Sequence, residues 1–426
     1  MKFYRQDLER CRENAIGVEG LSDATFGVAM AYTQSGVTWI RENYESGKWP
    51  LLTLPEQRQD LESLSGIADL IKDQSKTVLV LGMGGSSLGG QTLQALAALE
   101  HTAKPQVFFL ENLDGHTFSQ HLKTLELDQT TIIAISKSGR TAETAMQVFA
   151  FVAAYRAAGL QDEIAARFIF ITSPGDNPMR TLAAELGAPV LDHDPALGGR
   201  YSVFSSVGLL PALIMGLDAR SLRTGAQSVL QDVLESDDNE PARGAAVLSS
   251  MAEANGRRTN VFMPYADRLA RLGPWYVQLA AESLGKDGKG LTPIAARGPK
   301  DQHSALQLFL DGPNNKVFTI LADKHPHDGP QIFGELVNKE FAHLAGRTMG
   351  ELVEAETYAL LNTLTGHRRP ARLFEVDKID ELSMGALMMH FMLETIIMGN
   401  VLAVNPFDQP AVEEGKKLAA EYLLNK

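Results

Sequence analysis

The chain has 426 residues, 44% of them hydrophobic and 21% charged, the composition of a soluble globular protein long enough for two or three domains. A net charge of −13 argues against nucleic acid or anionic membrane as a partner, so an anionic ligand would need locally placed cations. Cys11 is the only cysteine, which excludes an intramolecular disulfide or a cysteine-based metal site and fits a reducing cytoplasm.

The amino terminus, M-K-F-Y-R-Q-D-L-E-R, mixes charges early and has no apolar core, so no secretory signal is expected. The most apolar run, Gly208 to Leu217, has about half of the ~20 residues a membrane helix needs and contains Pro211, so a soluble protein is expected. Residues 1–70 show no clear strand run. Gly27–Glu42 and Leu54–Asp73 mix apolar and polar residues in the manner of amphipathic helices, which predicts a helical N-terminal layer.

From Thr77 the pattern changes to T-V-L-V-L, then G-M-G-G-S-S-L-G-G, then a helical stretch Gln91–Glu100, predicting strand, glycine-rich loop and helix. The loop is not a dinucleotide fingerprint, because Ser87 stands where the third glycine belongs. It is not a P-loop either, because Gly90 and Gln91 replace the lysine and the hydroxyl residue. Backbone amides around Gly85 and Ser86 stay available to an anion.

The stretch Thr131–Thr144 reads T-I-I-A-I-S-K-S-G-R-T-A-E-T, again strand, loop and helix start. Hydroxyls at Ser136, Ser138, Thr141 and Thr144 can donate to one phosphate beside the unpaired amides and positive dipole end of the helix. Lys137 and Arg140 add charge, and Gly139 permits a tight turn. Further strands are expected at Gln106–Leu110, Arg167–Thr172 and Pro189–Leu191, spaced by helices as in a doubly wound parallel sheet. In such a sheet both loops lie at the carboxyl ends of strands and can face one pocket.

Gly198–Ser206, G-G-R-Y-S-V-F-S-S, opens the apolar stretch and offers Arg200 either to an anion or to a surface salt bridge. Ser236–Pro241, S-D-D-N-E-P, reads as a linker. A second α/β series follows, with strands expected at Asn260–Met263, Val317–Ala322 and Arg372–Val376 and helical text at Gln331–Leu344. There is no strict internal repeat in the sequence. Gln278, Glu282 and Lys286 recur every four residues, and Glu282 with Lys286 could form a helix ion pair. The chain ends in N-P-F-D-Q-P-A-V-E-E-G-K-K, a proline-bracketed turn and a helix carrying Lys416.

Six motifs in this order, G-M-G-G-S-S-L-G, S-K-S-G-R-T-A-E-T, G-G-R-Y-S, Q-L-A-A-E-S-L-G-K, D-Q-H-S and N-P-F-D-Q-P-A-V-E-E-G-K, resemble the glucose-6-phosphate isomerase family. The first two alone would indicate only the wider sugar isomerase superfamily; the later four carry the enzyme assignment. The resemblance implies an α/β fold of two doubly wound parallel-sheet sugar isomerase domains, at 71–235 and 236–404. A helical segment 1–70 would precede them and a helical tail 405–426 would follow. It also implies a cytoplasmic homodimer with shared active sites, acting on a small sugar phosphate with no cofactor and no metal.

By position, the resemblance makes Ser86, Ser136, Ser138 and Thr141 phosphate contacts and Gly85, Lys137, Gln278 and Gln409 further substrate-binding residues. Glu282 becomes the proton-transferring base and Arg200 the cation that stabilises an enediolate. His303, taken from the other subunit, and Lys416 would open the sugar ring. These residue types suit the chemistry. Moving hydrogen between C2 and C1 of a cis-enediol needs one carboxylate that takes and returns a proton, and ring opening needs a group that titrates near neutrality. The developing oxyanion needs a cation that keeps its proton.

Departures from the family pattern are Ser138-Gly139-Arg140 for threonine-phenylalanine-threonine, Ser87 for an aspartate, and Pro410 for a tryptophan. They leave open an enzyme that also accepts mannose-6-phosphate. A non-catalytic phosphosugar-binding regulator would keep the cradle but has no use for Glu282, His303 and Lys416 together. A glutamine-dependent amidotransferase would need an N-terminal cysteine that Cys11 does not supply. His325-Pro326-His327 resembles a metal pair only on paper, since proline favours an extended loop and no third ligand is evident.

Overall fold

Two five-stranded sheets organise the chain in the computed structural model, which describes residues 2–97, 105–326 and 329–425, the side chain of Leu336 apart. The strands are β1 (Tyr4–Asp7), β2 (Thr77–Leu81), β3 (Gln106–Leu110), β4 (Thr130–Ile135), β5 (Phe168–Thr172), β6 (Val190–Asp192), β7 (Thr259–Pro264), β8 (Thr292–Ala295), β9 (Lys316–Asp323) and β10 (Ala371–Val376). Helices of eight or more residues are α1 (Asp23–Glu45), α2 (Gln59–Gln74), α3 (Leu88–Ala97), α4 (Gly115–Thr124), α5 (Ala142–Ala157), α6 (Pro178–Glu185) and α7 (Ser206–Ile214). They continue with α8 (Ala219–Glu235), α9 (Glu240–Asn255), α10 (Leu272–Leu284), α11 (Lys300–Asp311), α12 (Met349–Gly366), α13 (Glu381–Val401) and α14 (Glu413–Leu424). Ala98–Glu100, the end of the expected Gln91–Glu100 helix, and His327 lie outside the described residues.

The first sheet has the order β3-β2-β4-β5-β6, parallel throughout, with Leu81 opposite Ala134 and Ile132 opposite Phe168. Its central strand β4, T-T-I-I-A-I, is buried along its whole length, as a parallel strand covered on both faces requires. The order reverses between β2 and β4, and the crevice outside the carboxyl ends of strands at such a reversal is where open α/β sheets bind ligands. The loops after β2 and β4 are the glycine-rich stretch and the hydroxyl-rich stretch.

The second sheet repeats this winding as β8-β7-β9-β10 and adds β1 antiparallel to β10 at its edge. The sequence shows no repeat, yet the topology does. The N-terminal segment is mainly helical as expected but also supplies β1, which corrects the reading that residues 1–70 hold no strand. Y-R-Q-D has one large apolar residue in four; what makes it a strand is alternation, Tyr4 and Gln6 buried inward, Arg5 and Asp7 turned out. Its charges also suit an edge. The short β8, T-P-I-A, hides behind its proline, which only an edge strand tolerates.

Gln331–Leu344 is not an α-helix but two short 3-10 turns, Gly334–Leu336 and Lys339–Leu344. The Asn338 side chain accepts from the amides of Glu340 and Phe341, and that local bonding competes with a continuous helix. Ser236–Pro241 is a tight joint rather than an open linker. Asn239 caps α9 by accepting from Ala242 N at 2.9 Å, Pro241 occupies its first turn, and Asp237 pairs with Arg41 at 2.7 Å.

The longest apolar helix is α13, not the Gly208–Leu217 run, most of which forms the short buried α7. By length and composition α13 could cross a membrane, but it is almost wholly buried, with α1, α8, α9 and α10 packed against it. A helix apolar on every side is the expected axis of a large core. Inside that core Arg372 forms a bidentate pair with Glu394, whose Oε2 also meets His390 Nε2 at 3.2 Å; His390 Nδ1 meets the Tyr4 hydroxyl at 2.6 Å. This network pins β1 and β10 to α13.

Candidate active site

The hydroxyl-rich loop starts where β4 ends. Ser136, buried, donates to Thr141 Oγ1 at 2.9 Å, and the exposed Ser138 accepts from the Arg140 amide at 3.2 Å. Thr141 stands at the N-cap of α5, yet its side chain makes no capping bond, so the first amides of this 16-residue helix stay open to an anion. Gly139 turns with φ +63°, and a Cβ there would collide with the side chain of Asn177, which caps α6 behind it. Burial pushes the Lys137 ammonium below its ordinary value, Asp194 opposing and Arg200 adding to the effect. A bound phosphate would relieve that cost. Thr144 corrects one expectation: it is fully buried in the first turn of α5 and does not line the open cradle.

The glycine-rich loop after β2 forms a turn of 3-10 helix, Gly84–Ser86, packed against a second such turn, Gly199–Tyr201; the turn corrects the expectation that the Ser86 amide stays open, since it donates to the Met83 carbonyl at 3.1 Å. A Cβ on Gly85 would strike the backbone of Gly199 and Arg200, so only glycine lets these loops meet. Both turns rest on α10, the helix of Gln278 and Glu282. The buried Ser87, in place of the family's aspartate, accepts from Gln91 Nε2 at 2.9 Å and so serves the start of α3.

Arg200 is 3% exposed, not a surface cation, and all its N–H groups have partners. Nη1 donates to Glu282 Oε2 at 3.0 Å and to Gln409 Oε1 at 2.9 Å; Nε donates to Ser283 Oγ at 2.8 Å. Nη2 donates to the carbonyls of Pro406, at 2.6 Å, and Asp408, at 3.1 Å. Gln278 Nε2 donates to the other Glu282 oxygen at 2.9 Å, and Gln278 Oε1 is buried without a hydrogen-bond partner among the described residues. Glu282 itself is one-third exposed, open to the cleft. A carboxylate between a guanidinium and an amide, at the edge of a crevice with an anion cradle, can shuttle a proton next to a stabilised oxyanion.

Gly85, Ser86, Arg200, Gln278, Glu282 and Gln409 thus come together, beside the cradle of Ser136, Lys137, Ser138 and Thr141. His303 and Lys416 do not join them within this chain. His303 is exposed on α11 and its side chain makes no hydrogen bond or ion pair among the described residues, and Lys416 pairs with Glu413 at 2.7 Å on the exposed α14. The expected Glu282–Lys286 helix pair does not form, because Glu282 points to Arg200 and Lys286 pairs with Asp408 at 2.9 Å. Ser283, Lys286 and Pro406–Asp408 lie inside the quoted motifs, but nothing local in the sequence marks their contacts to Arg200 and to one another, which exist only where α10 meets the 405–409 segment.

Comparison with known proteins places the chain in a family. The family model for phosphoglucose isomerase matches residues 65–425. A glucose-6-phosphate isomerase of Rubrobacter xylanophilus is 38% identical over 381 residues, covering 86% of this chain and 87% of its own. One from Carboxydothermus hydrogenoformans is 33% identical over 412 residues, covering 90% and 86%. Among solved structures, a hypothetical protein from Thermus thermophilus superposes with a TM-score of 0.87 at 28% identity over 99% of both chains. A glucose-6-phosphate isomerase from Chlamydia trachomatis, at 21% identity, shares the fold with a TM-score of 0.81 over 98% of this chain and 91% of its own. With a family model spanning most of its length and relatives this similar over nearly all of theirs, the chain belongs to the phosphoglucose isomerase family.

Proposed function

We propose that the chain is an aldose-ketose isomerase that interconverts glucose-6-phosphate and fructose-6-phosphate through a cis-enediol, a step of glycolysis and gluconeogenesis. The observation that carries this reading is the Glu282–Arg200 pair at 3.0 Å, placed at the crevice that also holds the phosphate cradle. The phosphate sits on Ser86, Ser136, Ser138, Thr141 and the open amides of α5, with Lys137 as counter-charge. Glu282 takes the proton from C2 and returns it to C1 on the same face of the enediol. As Glu282 takes that proton it releases Arg200 Nη1, which donates instead to the developing oxyanion, and Gln278 and Gln409 hold the sugar hydroxyls.

His303 and Lys416 open the ring, with His303 reaching the site of the other subunit in a homodimer. His303 is exposed on α11, and α14 presents Leu418, Tyr422, Leu423 and Leu424 to solvent in the single chain, as surfaces awaiting a second copy would. The domain division is placed at 71–235 and 236–404, the segments that each contain one wound sheet, with 1–70 and 405–426 flanking them. A coupled assay comparing fructose-6-phosphate formed from glucose-6-phosphate and from mannose-6-phosphate tests the substrate. Activity on the first at a turnover of about 1–1,000 per second, the ordinary enzyme range, is expected, and no activity on the first would overturn the reading.

A further inference from the structure

Arg200 is the group on which the isomerisation turns, and the direction of its guanidinium is set by residues that never touch the sugar. Nε is tied to Ser283 Oγ, and Nη2 is tied to the Pro406 and Asp408 carbonyls. With those bonds made, the plane of the group is fixed and Nη1 is the edge left facing Glu282 and Gln409.

The ties lead back to the helix that carries Glu282. Ser283 is fully buried, and its hydroxyl also meets the Tyr201 hydroxyl at 3.0 Å, while Tyr201 donates to the Pro406 carbonyl at 3.2 Å. Lys286, three residues on, donates to the Asn405 carbonyl and pairs with Asp408 at 2.9 Å, its side chain only 13% exposed. Phe407, between these contacts, packs on Trp49 at 4.5 Å and on Tyr201 at 5.5 Å between ring centres. The 405–409 segment is therefore held at the end of α10 by the Lys286 ammonium directly and by the Tyr201 hydroxyl that bridges Ser283 to the Pro406 carbonyl, and its carbonyls in turn hold the arginine.

We propose that Ser283 and Lys286 are positioning residues of the isomerase: Ser283 fixes Arg200 Nε directly, and Lys286, through the Asn405 carbonyl and the Asp408 carboxylate, fixes the segment whose Pro406 and Asp408 carbonyls hold Nη2. Together they aim Nη1 at the point where the enediolate oxygen becomes negative. The proposal rests on the reading of Arg200 as the enediolate-stabilising cation. Because the substrate's phosphate is held elsewhere, by the loop after β4, loss of the clamp strikes the transition state rather than ground-state binding.

The test uses the full chain with Ser283→Ala and Lys286→Met, reading kcat and KM for fructose-6-phosphate. It also reads the inhibition constant of a five-carbon aldonic acid phosphate, whose carboxylate imitates the enediolate. The expected result is a kcat lower by about 10- to 100-fold, the usual consequence of a misplaced catalytic group, with KM moving less than about threefold. The inhibitor weakens in step with kcat, and Ser283→Thr and Lys286→Arg recover most of the loss. A kcat within about twofold of the parent in either folded variant overturns the proposal, as does a rise in KM alone or a loss that neither conservative variant restores. Should Ser283→Ala fail to fold, Lys286→Met decides by the same criteria. A parent chain without isomerase activity would overturn the isomerase reading, a result distinct from failure of the clamp.

Discussion

Replacing Glu282 by glutamine should remove the proposed carrier of the C2 proton and change little else. The carboxylate now accepts from two donors, Arg200 Nη1 at 3.0 Å and Gln278 Nε2 at 2.9 Å. An amide has only one accepting oxygen. That oxygen can stay on Arg200, while the new NH2 group turns to Gln278, which answers by flipping its own amide to present its unpaired Oε1. The variant therefore keeps both contacts, and the charge is lost on the one-third exposed side of the pair while the buried Arg200 keeps its bonds to Ser283, Gln409 and the Pro406 and Asp408 carbonyls.

The chemistry is affected far more. Loss of a positioned general base costs about 10²- to 10⁴-fold, or roughly 3–5 kcal/mol of barrier at 1.36 kcal/mol per factor of ten. The assay couples glucose-6-phosphate production to a dehydrogenase and, in parallel, follows washout of deuterium from C2 into water. Both should fall together by that factor, while the inhibition constant of inorganic phosphate and the melting temperature stay close to the parent values. Turnover within tenfold of the parent, or unchanged deuterium washout, would refute Glu282 as the base.

Alanine at Ser136, Ser138 or Thr141 should weaken every phosphorylated ligand by about 0.5–3 kcal/mol each, measured as the inhibition constant of inorganic phosphate; an unchanged constant in the triple variant would remove the cradle. Mixing His303→Ala with Glu282→Gln subunits under dissociating conditions should restore about a quarter of parent activity, because half the dimers are mixed and each holds one intact site. Activity no greater than the sum of the two parents would place His303 in its own subunit's chemistry. Acid should unfold the protein through the core network. Burial alone would raise the Glu394 carboxyl, but Arg372 and His390 outweigh it and hold it at about 2, so its contribution is full above its ordinary 4.5 and is lost as pH falls towards 2. Burial lowers His390, so protons bind the unfolded chain first below 6.5 and destabilise the fold in the same direction. Denaturant unfolding between pH 7 and 3 should flatten in the Arg372→Met, Glu394→Leu double variant; an equally steep curve would clear the network.

The sequence made the wound strands and the cradle legible because each is local: apolar runs of five or six residues, then hydroxyls, lysine and glycine at a helix start. It also marked Arg200, Gln278 and Glu282, whose motifs stand out, although only the fold turns Arg200 inward and gives it a partner for each N–H. What stayed hidden depends on distant segments. β1 is a strand because Tyr4 and Gln6 find His390 and Glu240 more than two hundred residues away, and Lys286 leaves Glu282 because Asp408 reaches it from the tail. The Asn338 side-chain bonds broke a stretch whose composition read as helix.

Four strands of each sheet wind alike, yet among the described residues the proposed anion cradle lies at the reversal of the first sheet, and the difference lies in the loops rather than in the topology. At the reversal of the first sheet the chain leaves β2 and β4 through G-M-G-G-S-S and S-K-S-G-R-T, which offer hydroxyls, close backbone approach and, after β4, the open first amides of α5. At the equivalent reversal of the second sheet it leaves β7 and β9 through Y-A-D-R and K-H-P, where Arg268 and Lys324 are already neutralised by Asp323 and Asp377. A crevice whose cations are spent on its own carboxylates has little to offer an anion. The second half serves the first in another way: the helix that follows β7 turns Gln278 and Glu282 back towards the cradle and, through Ser283 and Lys286, holds the tail segment that grips Arg200. On the proposed roles one half therefore binds the charge of the substrate while the other brings the base, and the buried Arg200 is where the two are joined.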